Sequence, residues 1–316
     1  MYTYTELELF GECKKGDIEK INSLLSMRIY DLNRALCIAC ESGNIKSVEL
    51  LLSKGTNKLD RALDSACTGG NLEIIKLIIS KGGVSRECIY HACRDNREDI
   101  VELLMTKFGN DLDWDCGLGG ACKNGNMKLI ELMLSKGADP NHGLYDSCVE
   151  DKIDIANLML SKGANDLNWA LEAGCDAGHL EIVKWLLSKG ANDLNMGIRY
   201  ACVNGNLDVI KLLIDSGATD FDTGIFLACR SNKIEVIKFM IKYCKVDVKL
   251  CLHWACKYGQ MNIVKIILKK WKFGLNFGLT WACEYEKPDI VKLMIKKGAT
   301  ECYNCYKLIK HHDTNI

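Results

Sequence analysis

Cysteine is the residue type most able to do chemistry in this chain, with 18 in 316 residues. Two Cys-x-x-Cys pairs occur, Cys37/Cys40 and Cys302/Cys305, and the second precedes His311 and His312. Two thiolates and two imidazoles could hold zinc tetrahedrally. They would have to wrap around one short terminal helix, however, and no second Cys-x-x-Cys pair supports them. A plain closing helix is the reading adopted, and neither a metal nor a cofactor is expected. Catalytic signatures are thin as well. The chain has no phosphate loop, no Gly-x-Ser-x-Gly, no dinucleotide fingerprint and no His-Glu-x-x-His. His142, His179 and His253 are scattered, and the acids Glu284 and Glu286 sit on a turn. No enzyme is expected.

What the cysteines do instead is mark a period. They fall at Cys13, Cys40, Cys67, Cys93, Cys122, Cys148, Cys175, Cys202, Cys229, Cys256 and Cys283, at intervals of 26 to 29 residues and most often 27. A fixed period of this size means stacked repeats. Neighbouring helices in a stack lie about 8–10 Å apart, whereas a disulfide needs Cα atoms about 4.4–6.8 Å apart. The ladder is therefore expected to be unpaired and packed, each thiol acting as a small buried hydrophobe. Cys37 joins it through Cys40.

The repeat divides into two helical patterns. Four residues before each ruler cysteine stands an aliphatic residue, such as Leu36, Leu171 or Ile225, and one before it a small one, such as Ala39, Gly174 or Ala228. Positions −4, −1 and 0 share one face of a short helix, here helix A. After a glycine-containing turn comes helix B, as in LEIVKWLLS from Leu180, with an acid in its first turn (Glu181) and lysine near its end (Lys189). Glycine then ends it at Gly55, Gly82, Gly137, Gly163, Gly190, Gly217 and Gly298, where left-handed caps are expected. The repeating unit leaves only about five residues to link one copy to the next.

The composition fits such a stack: 48% hydrophobic, 26% charged and 2 prolines. No apolar run approaches the roughly 20 residues needed to span a bilayer. The start MYTYTELELFGECKKGD carries acids where a signal peptide needs a basic end. A cytoplasmic setting with free thiols follows, the nucleus being possible, and no membrane partner is expected.

Gly178-His179-Leu180-Glu181-Ile182-Val183-Lys184, followed by Leu186-Leu187 and Gly190-Ala191-Asn192, resembles the second half of an ankyrin repeat. Leu171 and Gly174-Cys175 match that family's leucine and Ala-Ala pair on the first helix. The resemblance spans about residues 10–310. It departs from the family in length, about 27 residues against the usual 33, the shortfall lying where the family carries its β-hairpin finger. The cysteine, lysine, isoleucine and asparagine bias is similar to that of ankyrin arrays of giant amoeba-infecting DNA viruses, which would make the partner a host protein and the setting the host cytoplasm. His179 stands where the family has a turn histidine that bonds local backbone. The expected fold is an all-α, ankyrin-like helix-turn-helix solenoid with truncated or absent β-hairpins. Its expected organisation is one solenoid over 1–316: a capping repeat at 1–27, with Glu12 and a polar helix B, ten repeats at 28–300, and a closing half-repeat and tail at 301–316.

Positions −3, −2, +1 and +2 lie on the face of helix A opposite its core and vary freely. By the resemblance, residues near +1 and +2 line the concave surface that meets partners. Early copies carry polar or small residues there: Glu41 and Ser42, Thr68 and Gly69. Late copies carry aromatics: Trp254 and Tyr258, then Trp281 and Tyr285, with Tyr200 and Phe226 in the two preceding copies. They either fill space left by absent hairpins or form a partner-binding hot spot. Charge is uneven too. Residues 233–316 carry 16 lysines against 7 acids, a net of +9, and the first 232 carry the balancing −9. Lysines on helix B (Lys238, Lys242, Lys265, Lys269, Lys292, Lys296) form a solvated face or meet an acidic partner. The expected function is a monomeric, non-catalytic protein-binding scaffold acting through the helix-A face. Its rivals are nucleic-acid or acidic-partner binding by the basic third, with nucleic acid less favoured, and a ubiquitin-ligase substrate adaptor.

Overall fold

The computed structural model describes residues 4–27, 31–244, 246–270 and 274–300. Among them are 22 α-helices and one short 3₁₀ turn, with no strand. None of these helices is long and apolar enough to cross a membrane. The chain divides into two compact units, residues 1–147 with 154–165 and residues 148–153 with 166–316. The closing half-repeat at 301–316, with Cys302, Cys305, His311 and His312, lies outside the described residues.

Within each unit the period is the one the cysteines marked. In the second unit, helices A at Leu167–Ala177, Leu194–Asn204, Phe221–Arg230, Val248–Lys257 and Leu275–Glu284 pack in succession, and each packs on its own helix B. Their starts fall 27 residues apart, and most begin on an aspartate. Asp166, Asp193 and Asp220 accept from the backbone N–H three residues on, satisfying one orphan donor of the first turn. Helix B buries one stripe, Ile182, Val183 and Leu186 in Leu180–Lys189, and leaves Lys184 and Glu181 outside, paired at 2.7 Å. All seven glycines expected to end helix B have positive φ, from 87° to 107°.

The −4, −1, 0 face is the core. Leu36, Leu171, Ile225 and Leu252 are fully buried, as are ten of the eleven ruler cysteines. Those ten are free thiols. Burial pushes Cys40, Cys93, Cys175, Cys202, Cys229 and Cys256 up to about 12, so they stay protonated and unreactive at neutral pH. The eleventh corrects the expectation: Cys283 is only half-buried and is disulfide-bonded. Spacing keeps neighbouring rungs apart, but it does not constrain the last rung, beyond which the register holds Lys310 instead of cysteine.

The sulfurs of Cys175, Cys202, Cys229 and Cys256 each rest on position −5 of the next helix A. That position is always alanine, glycine or cysteine, and always buried. A Cβ added to Gly197 would lie 3.1 Å from Cys175 Sγ, and one added to Gly224 would lie 3.2 Å from Cys202 Sγ. Cys256 Sγ reaches the carbonyl of Gly278 at 3.6 Å. Where position −5 is itself cysteine, two thiols meet, and Cys67 is raised first by Cys88 and then by burial.

Polar side chains bridge repeats on either side of this seam. Asn33, Asn168 and Asn195, seven residues before their ruler cysteines, accept from two successive N–H groups of the following linker, at 2.8–3.1 Å. His179 plays its expected structural role, but not locally: its Nε2 lies 2.9 Å from the carbonyl of Val149, in the preceding copy. Asn206, one period later, donates to Cys175 and Asp176 carbonyls at 2.9 and 3.0 Å. The capping role given to Glu12 also changes. Glu12 is buried, not part of a solvated outer face, with one oxygen 2.8 Å from Lys15 and the other unpartnered.

One close backbone approach lies between the helices Cys88–Arg94 and Trp114–Asn124, where a Cβ on Gly120 would collide with Tyr90 O and lie 3.0 Å from Arg94 N. Both are backbone atoms that cannot step aside. Gly120→Ala is expected to destabilise by about 1–3 kcal/mol through overpacking, although alanine favours a helix by about 1 kcal/mol. A higher midpoint in urea denaturation would contradict the close approach.

Candidate partner-binding face

The helix-A face of the last copies is built by periodicity. Position −2 or −3 in one copy lies beside its counterpart one period on, and residues four apart within a helix share the surface. The result is a continuous strip of rings. Phe226 meets Trp254 edge-on at 4.6 Å between centroids and Tyr258 at 6.3 Å. Trp254 and Tyr258 lie 6.3 Å apart and nearly parallel. His253 then joins this group to the next, 4.9 Å from Trp281 and 5.6 Å from Tyr285. Its Nε2 faces the Tyr285 hydroxyl at 3.4 Å. Phe277, 46% exposed, stacks beyond Trp281 at 5.9 Å.

Five of the six expected residues are thus brought together: Phe226, Trp254, Tyr258, Trp281 and Tyr285. Tyr200 is exposed, and its hydroxyl bonds the Glu172 carboxyl. All five gathered rings are half-buried. They pack on one another while keeping an open side, so the two meanings offered for them, space-filling and contact surface, are not exclusive. The indole Nε1 of Trp254 is inaccessible and unpartnered, which marks that end of the ring as interior.

His253, Lys257 and Phe277 were not anticipated. The ammonium of Lys257 lies 5.0 Å from the Trp254 ring and 5.5 Å from the Tyr285 ring, within reach of a cation–π attraction. Lys249 caps the outer face of Phe277 at 4.2 Å. His253 and Lys257 occupy positions −3 and +1, so both belong to the face as the spacing defines it. Desolvation and then the charge of Lys257 hold the His253 imidazole below its ordinary value of 6.5, with Glu284 opposing. The ring is neutral at pH 7.

Among the described residues no group of three or more histidine, cysteine or acidic side chains is placed to hold a metal.

Because the folded state resists protonating His253, the unfolded state binds more protons just below pH 6.5, and stability must rise with pH through that range. Acidifying from pH 7 to about pH 5 should lower the melting temperature of the wild type more than that of His253→Gln. His91, also lowered by desolvation, retains part of the dependence. Equal losses in the two proteins would contradict this account.

The family model for ankyrin repeats, which spans three copies, matches the chain at residues 9–88, 89–197 and 198–277. No curated protein matches it. Ankyrin repeats generally serve as protein–protein interaction modules. The paired helices, the buried −4/−1/0 face and these matches, which cover most of the sequence, agree: the chain belongs to the ankyrin repeat family and folds as an all-α solenoid of its repeats.

Proposed function

We propose that the chain is a non-catalytic scaffold whose protein partner docks on the helix-A face between Phe226 and Tyr285. The observation that carries this reading is the strip of half-open rings with Lys257 among them. Aromatic rings offer large contact area at low entropic cost, and surrounding lysines supply long-range attraction to an acidic surface. In early copies the same positions hold Glu41 and Thr68, which offer neither. Tyr258→Ala and Tyr285→Ala should each weaken binding of a partner captured by affinity from cell extract by about 1–2 kcal/mol in calorimetry, with small change in melting temperature. Glu41→Ala should leave binding unchanged. If the tyrosine variants melt earlier yet bind as the wild type does, the rings serve packing alone and the reading fails.

A second reading rests on the opposite side. Lys238, Lys242, Lys265, Lys269, Lys292 and Lys296 are all exposed on successive helices B and recur at 27 residues in two rows. Glu235 engages Lys238 at 2.6 Å, which weakens that row as a polyanion site. A nucleic acid bound there would lose affinity by orders of magnitude between 50 and 200 mM salt, as about 6–10 phosphate contacts require. The expected outcome is no gel shift with DNA or RNA even at low salt, and a salt-sensitive shift would favour the second reading.

A further inference from the structure

Lys257, like Lys249, is set against rings and not against an acid, unlike several cations of the same unit. Lys184, Lys211 and Lys238 each pair with an acid three residues earlier, at 2.6–2.9 Å. Arg199, on the helix-A face two copies before, is held by Asp220 at 2.6 Å. Lys257 is half-buried, and its contacts are ring faces: Trp254 on its own helix and Tyr285 from the next. Among the described residues no carboxylate lies within ion-pair distance of its ammonium. The neighbouring imidazole is neutral, so no second cation competes for a counterion.

We infer that Lys257 is a recognition residue for a carboxylate of the partner, one that sits beside an apolar side chain seated on Phe226, Trp254 and Tyr258. This rests on the docking reading above and narrows it to an acidic, aromatic- or leucine-bearing peptide segment. Ring faces attract the ammonium but cannot neutralise it, and a partly desolvated charge gains most from a counter-charge that completes its shell. The apolar rings on either side displace water around the pair and so strengthen it. A cationic ligand, which such rings would otherwise attract, is excluded because Lys257 already fills the position between Trp254 and Tyr285. A phosphorylated segment fits less well, since one ammonium offers a point charge where phosphate favours a forked or clustered cation.

The test pans a displayed library of random peptides of about twelve residues on the full chain, then measures recovered peptides against variants by fluorescence anisotropy. Recovered sequences should place Asp or Glu next to Phe, Leu, Trp or Tyr. Their affinity should fall about tenfold or more with Lys257→Met, and about equally when the peptide's acid becomes its amide, with little further loss when both changes are combined. Lys257→Arg should retain most of the affinity. Peptides that depend on Tyr258 and Tyr285 yet ignore both Lys257→Met and the acid-to-amide change would overturn this inference and leave the docking face standing. Recovery of lysine- or arginine-rich peptides would overturn it too. If no recovered peptide responds to Tyr258→Ala or Tyr285→Ala, the docking reading falls, and this inference with it. The peptide-side change keeps the test decisive should Lys257→Met prove unstable.

Discussion

Successive helices A approach so closely that a ladder sulfur rests on the backbone of the next helix, and the repeat's composition follows from that contact. Position −5 is Ala, Gly or Cys because a larger side chain would enter a neighbour's Sγ or methionine, and position −1 is small after the first copy because it faces helix B, where a Cβ on Gly174 would lie 3.0 Å from Ile182 and 3.2 Å from Val183. Close-packed interiors return this as dispersion energy summed over many weak contacts. Sulfur suits the site because it is soft and polarizable and carries little that must be hydrogen-bonded once buried. A polar side chain there needs a partner, which favours variation on the opposite face, at positions −3, −2, +1 and +2.

A stack held only by such a seam would leave linker amides unpaired. At this point a single amide side chain serves. Asn33, Asn168 and Asn195 each accept from two linker N–H groups one repeat on. Position +4, as His179, Asn44 or Asn206, reaches back to carbonyls of the repeat before. The linker bonds are exposed, so each contributes about the net 0.5–1.5 kcal/mol of an ordinary intramolecular hydrogen bond. Two polar seams thus run through side chains from one repeat to the next.

How much of this the sequence revealed depends on whether the feature repeats with the same residue. The ruler cysteines, the aliphatic −4 and the terminal glycines do, and each fell where expected. Position −5 also repeats, but as three residue types, so its constancy of size was hidden by its variety of identity. The asparagine seam repeats as Asp-Leu-Asn at 31–33, 166–168 and 193–195, a signal visible in the letters but without meaning until the linker amides were located. Cys283 could not have been read from the ladder at all, since it departs from it. Tyr200 and the five gathered rings look alike in sequence. The structure adds the partners: Tyr200 bonds Glu172, and Trp254 meets Phe226 and, through His253, the ring group that follows.

The same reasoning explains why recognition should concentrate in the last described copies. A solenoid repeats its backbone, so each copy presents the same four variable positions at nearly the same height. From Phe226 to Tyr285 adjacent copies both place large side chains there, and ring meets ring. Ring clusters held by their neighbours lose little freedom on binding, so contact area made there converts to affinity with less entropic cost than on isolated side chains. The rigidity arises from the inter-repeat contacts themselves. Trp254 is fixed by Phe226 and Tyr258, Trp281 by His253 and Phe277, and Lys257 is steadied between two of these rings. Packing and presentation are therefore one arrangement viewed from its two sides, and a charge held within it is pre-positioned before any partner arrives.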